Sequence, residues 1–159
     1  MTHRVEPADA DSRLPYVPEG VPVLLLDDNL TVLEALKEAV AADETLTVVG
    51  TACQISDAIR VAAATHPQVA VIDVNMPDGG GWAAARGLRE VCPGIRLVAY
   101  SAFSEALVTR TMVVAGVSAF VSKDSDIEVL LAAIRGENLQ PSPSEPTPLT
   151  RRMTAAAPS

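Results

Sequence analysis

The chain is short of cysteine: Cys53 and Cys92 stand alone in 159 residues. They lack metal-ligand spacing and read as small core or surface thiols, so a zinc centre is not expected. A single bridge between them is left open but is disfavoured in a reducing compartment. The opening residues, MTHRVEPADADSR, contain no apolar core of a secretory signal, and no apolar run is long enough to span a bilayer. The expectation is a reduced, soluble, cytoplasmic protein with no membrane partner. Positive charge is scarce as well. The formal net charge is -8, with 14 acidic against 8 basic residues between positions 21 and 136. No basic stripe offers itself to a phosphate backbone, which argues against direct nucleic-acid binding. His3 and His66 have no nucleophile or second ligand beside them, and no chemistry is assigned to either. Gly79, Gly80 and Gly81 are followed by no Gly-Lys-Ser/Thr, so they read as a turn and not as a nucleotide cradle. There is no internal repeat.

What is present is apolar and regularly punctuated. A hydrophobic content of 48% over this length suits one core and about one domain. Residues 1–20, with Pro7, Pro15 and Pro18, and residues 137–159, which alternate proline with serine and threonine, read as a flexible N-terminal tail and a C-terminal tail or linker. Between them, VPVLLL, LTVVG, VAVI, IRLVAY and AFVS are short, apolar and β-branched, as buried strands are. Leu30, Leu33, Leu36 and Val40 recur at helical spacing. Ser56 and Asp57 are placed to start a second helix, and Trp82 opens a third, as packing or as a partner contact. Ser104 is placed to cap a fourth helix that Gly116 ends, and SDIE from Ser125 to Glu128 reads as a capping box for the fifth. Strict alternation of strand and helix predicts a single α/β domain over residues 21–136, with a parallel sheet covered on both faces.

The carboxyl edge of such a sheet is where function collects. Taking the strand order as 2-1-3-4-5, the first strand ends in Asp27 and Asp28, the third in Asp73, the fourth in Ser101 and the fifth in Lys123. Asp73 closes a four-residue apolar run, where an isolated carboxylate is costly, so it needs a rim that supplies partners. Three clustered carboxylates repel unless a cation intervenes, and hard oxygen ligands suit Mg²⁺. The chemistry supported is phosphoryl transfer to a carboxylate. Asp73 attacks, Mg²⁺ and the Lys123 ammonium neutralise charge, and Ser101 donates a hydrogen bond.

LLLDDN, VIDVNMPDGGG, VAYSA and GVSAFVSKD occur in this order across nearly the whole ordered region. With these motifs the chain resembles a response-regulator receiver domain of two-component signalling. Its FVSKDSDIEVLLAAIRG segment is closest to receivers of the NarL/LuxR type, without their DNA-binding domain. The resemblance implies a flavodoxin-like (βα)5 fold and Asp73 as phospho-acceptor. It implies Mg²⁺ held by Asp27, Asp28, Asp73 and the backbone carbonyl of Asn75. Ser101 would be the switch hydroxyl, Lys123 the residue that ties down the phosphoryl group, and Phe120 the aromatic that moves with the switch. Asn75 and Phe103 fall where the family tunes the lifetime of the phosphoryl group. The implied partners are a sensor histidine kinase and a downstream protein or a second copy, docked through the fourth helix, fifth strand and fifth helix.

Two departures stand out. Phe120 lacks the hydroxyl of the tyrosine often found at its position, and Lys123 is followed by Asp124 where many receivers carry proline. The reading is a switch and not a turnover enzyme. A haloacid-dehalogenase phosphatase, which also phosphorylates a strand-end aspartate, usually carries a second aspartate where this chain has Asn75. A pseudo-receiver without phosphorylation and a fragment of a longer DNA-binding regulator are also compatible with the motifs. LTRR from Leu149 to Arg152 resembles the opening of that DNA-binding domain, and residues 153–159 are too few for a helical bundle.

Overall fold

Six residues, Val21–Leu26, form strand β1, and five of them are buried, as expected of a strand with helices over both faces. The computed structural model describes residues 18–102 and 106–137. In chain order the elements are β1, α1 (Leu30–Ala41), β2 (Leu46–Ala52), α2 (Ile55–Thr65), β3 (Val69–Asp73), α3 (Gly80–Val91), β4 (Arg96–Ser101), α4 (Ala106–Val114), β5 (Ala119–Ser122) and α5 (Ile127–Arg135). All strand pairs are parallel, in the order β2-β1-β3-β4-β5. The expected (βα)5 doubly wound sheet is therefore the observed one. Most of both expected tails, together with Ser104 and Phe103, lies outside the described residues.

Alternation along each strand splits the interior into two cores. Val23, Leu25, Val71, Val98 and Val121 face Leu33, Leu36 and Val40 of α1 and Leu130 and Ile134 of α5. Leu24, Leu26, Ile72 and Leu97 face the other way, onto Ala58 and Ala62 of α2 and Ala84, Ala85 and Leu88 of α3. The small alanines let α2 and α3 lie close to the sheet, and the strands fill the space with leucine and isoleucine.

Several boundaries differ from the sequence reading. β2 runs past Gly50 to Ala52, because the pairing slips between Val23 and Leu24 and Gly50 then pairs with Leu24. A Cβ on Gly50 would lie 2.3 Å from Val61 of α2, so this glycine marks a helix crossing close over a strand, not a strand end. α2 begins at Ile55, ahead of Ser56 and Asp57, with no side-chain cap bond from Gln54. Asp57 instead pairs with Arg60 at 2.8 Å inside the first turn. α5 takes Asp126 and not Ser125 as its cap residue, again without a side-chain bond. Ser125 is used in the preceding turn, where its N–H donates to the Ser122 carbonyl at 3.0 Å. Leu30 belongs to the periodic set of α1 yet is 66% exposed, and the buried face is Leu33, Leu36 and Val40.

Candidate phosphoryl-acceptor site

Parallel pairing brings the carboxyl ends of β1, β3, β4 and β5 to one edge, and the polar residues of the sequence reading arrive there with them. Asp27 follows β1 directly. Its N–H still donates to Ala52 of β2 at 3.2 Å, so the ladder continues one residue past the strand. Its Oδ1 accepts the Asn29 N–H at 2.8 Å. Asn29 in turn accepts the N–H groups of Thr31 and Val32 at 3.0 and 3.3 Å, capping α1. The tight turn thus fixes Asp27 inward, 1% exposed, and leaves Asp28 exposed beside it.

Asp73 is the last residue of β3 and is 4% exposed. Its Oδ1 accepts the Asn75 N–H at 3.1 Å. Burial pushes its carboxyl above the usual aspartate value and Asp27 adds to this, against the Asn75 hydrogen bond and the Lys123 charge. Oxygens of Asp27, Asp28 and Asp73 all lie within 4.8 Å of one another.

Lys123 enters from the end of β5, where its N–H donates to the Ser101 carbonyl at 2.7 Å. Its Nζ lies 2.8 Å from Asp27 Oδ2 and 3.6 Å from Asp73 Oδ2. Burial pulls this ammonium down, but the hydrogen bond to Asp27 and the charges of Asp73 and Asp27 outweigh it and hold the group above its ordinary value. Three carboxylates facing one ammonium leave a negative excess, and an all-oxygen donor set of this kind suits a hard divalent cation.

Asp27, Asp28, Asp73 and Lys123 therefore form one cluster. Ser101 ends β4 at the same rim, fully buried. Asn75 is exposed on the loop after β3. Phe120 lies further back, half-buried on β5 and paired with Ala99. Two residues were missed by the sequence reading. Asn29 was legible, since an asparagine directly before an apolar-periodic run is a cap signal. Tyr100 was not, because it sits inside the apolar run IRLVAY and reads as strand. In the structure it is the register partner of Asp73, and Lys123 Nζ lies 5.6 Å from its ring centroid.

The family model for the response regulator receiver domain matches residues 23–135. The chain belongs to the receiver domain family. Among curated relatives, the DNA-binding transcriptional activator DevR/DosR of Mycobacterium tuberculosis is 35% identical over 104 residues, covering 65% of this receiver and 48% of that protein. The receiver spans about half the length of the curated relatives it matches. Among solved structures, a LuxR-family response regulator from Aurantimonas sp. SI85-9A1 superposes with a TM-score of 0.70 at 26% identity, covering 74% of this receiver and 84% of that chain. The signal receiver domain of NarL from Mycobacterium tuberculosis gives 0.67 at 28% identity, covering 75% and 99%. Receiver domains of this family are signalling switches and generally not turnover enzymes. Among the described residues, no helix is long and apolar enough to cross a membrane.

Proposed function

We propose that this receiver accepts a phosphoryl group on Asp73 from a histidine kinase, in a Mg²⁺-dependent step, and that the phosphorylated form presents an altered partner-binding face. The observation that carries the reading is the convergence at the carboxyl edge of a receiver sheet of Asp27, Asp28 and Asp73, with oxygens within 4.8 Å of one another, and of Lys123, whose Nζ lies 2.8 and 3.6 Å from Asp27 and Asp73. Asp73 attacks phosphorus, and the P–N bond of a phosphohistidine protonated on its other ring nitrogen breaks, so that the bond's electron pair stays on the ring and neutral imidazole leaves. Asp27, Asp28, Asp73 and the Asn75 carbonyl would hold Mg²⁺. When bound, the ion neutralises charge on the phosphoryl oxygens and on the carboxylates. Lys123 supplies a fixed positive charge from the β5 side. Ser101, one strand over, supplies a hydroxyl to a phosphoryl oxygen.

The switch depends on that last contact. A phosphoryl group biases two states only through contacts it makes differently in each. Ser101 and Phe120 are the residues through which the α4, β5 and α5 face responds, and this face docks a downstream protein or a second copy. A second reading is favoured by the length of the relatives: the same switch serving as the input domain of a DNA-binding regulator. The full coding sequence decides between them.

The test is intact mass after incubation with acetyl phosphate and Mg²⁺, run beside Asp73→Asn and an EDTA control. A single phosphoryl adduct that requires both Asp73 and the metal is the expected result. No adduct on a folded, Mg²⁺-binding chain would replace this reading with a pseudo-receiver that only binds partners.

A further inference from the structure

Lys123 reaches the acidic cluster from the last strand, and a long flexible side chain at a rim needs something behind it to stay there. Asp27 and Asp73 stand 2.8 and 3.6 Å from its Nζ. Lys123 also lines an open groove of about 400 Å³ between α1 and α5, walled by Val32, Ala35, Leu36, Ala39 and Ile127. Tyr100 lines the same groove, and Lys123 Nζ lies over its ring, 5.6 Å from the centroid. Tyr100 is the register partner of Asp73 in parallel strands, so the two side chains leave the sheet on the same face. The ring is half-buried against the core under α1 and α5.

We infer that Tyr100 is a positioning residue for the phosphoryl reaction: its ring face holds the Lys123 ammonium toward Asp27 and Asp73 and keeps it from swinging into the α1/α5 groove. The inference rests on the reading that Asp73 takes a phosphoryl group. The physical basis is the attraction of a cation to the negative face of an aromatic ring within about 6 Å of its centroid, which strengthens as water is excluded. A leucine here would fill part of the same volume but leave that side of the ammonium without an electrostatic partner. A merely structural role for Tyr100 predicts the opposite, that any apolar side chain of similar size serves.

The chain contains two lysines, Lys37 and Lys123, so a spectrum of the full chain labelled with ¹³C-lysine shows one signal to test and one exposed control. In the native chain the Lys123 Cε protons should lie upfield of those of Lys37, shifted by the ring current. Tyr100→Phe should keep both that shift and the native rate of phosphorylation by acetyl phosphate. Tyr100→Leu should lose the shift and phosphorylate about three- to tenfold more slowly, the range expected for a partly desolvated cation–π contact. Coincident Lys37 and Lys123 signals in the native chain would overturn the inference without any variant. So would a Tyr100→Leu chain with native rate, or a Tyr100→Phe chain as slow as the leucine variant. A native chain that shows the lysine shift but takes no phosphoryl group would refute the phosphorylation reading, while the ring contact itself would stand.

Discussion

Removing Lys123 would leave Asp27, a carboxylate with 1% of its surface exposed, with one hydrogen bond from Asn29 and like charges beside it. An orphaned buried charge costs on the order of 2 kcal/mol even after relaxation. Lys123→Ala should therefore melt lower than the native chain in EDTA and gain more from added Mg²⁺, because the ion takes over part of the neutralisation. Equal gains in paired thermal melts would show that the lysine does not offset the cluster. Asp73 gives a test of opposite sign. Its folded value is raised above 3.8, so its protonated form favours the fold and that contribution is lost as pH rises through the folded value. Asp73→Asn should melt higher than the native chain in metal-free buffer near pH 7, with the gap closing as pH falls below 3.8. At this scale the sequence was readable where chemistry forced an unusual neighbour, as with a carboxylate closing an apolar run. Tyr100 was invisible because a tyrosine in a strand breaks no pattern.

The elements were legible for a similar reason. Five apolar runs separated by helical spacing admit few arrangements, and the parallel order follows once both faces of each strand are apolar. Boundaries were harder, because they depend on pairings remote in sequence. Gly50 looks like a terminator until Val61 is seen lying over it, and Ser125 looks like a cap until the turn after β5 is seen to use it. Gly81 shows the same dependence at a functional junction. A Cβ there would lie 3.0 Å from the Val74 Cα and 3.0 Å from Met112 Cε of α4. Methionine can yield but backbone cannot, so Gly81→Ala should cost about 1–2 kcal/mol in urea unfolding. A neutral result would mean that α3 and α4 have slack where they meet.

On the scale of the molecule, the last helix is tied back to the first. Arg135 of α5 donates to Asp43, after α1, at 2.6 Å, and to Glu137 at 2.8 Å. Asp43 is held below its ordinary value, chiefly by hydrogen bonds from Thr45 and then by Arg135, and Glu137 is held down chiefly by Arg135. Carboxylates lowered in this way stabilise the fold above their unfolded values and lose that contribution as pH falls through the folded ones. The melting gap between native chain and Arg135→Ala should be widest near neutrality and vanish in acid, below 3.8. A gap independent of pH would assign the clamp to packing alone. The two-faced interior also sets the cysteines apart. Cys92 belongs to the core under α2 and α3, whereas Cys53 packs against the opposite core at the carboxyl end of β2, one residue beyond the Ala52 carbonyl that accepts the Asp27 N–H. The two thiols belong to cores on opposite faces of the sheet, and of the two only Cys53 is partly exposed. The native chain thus carries a ready attachment point for a single environment-sensitive dye beside the strand end that pairs with Asp27, where fluorescence tests whether the acidic rim takes up a cation without engineering the protein.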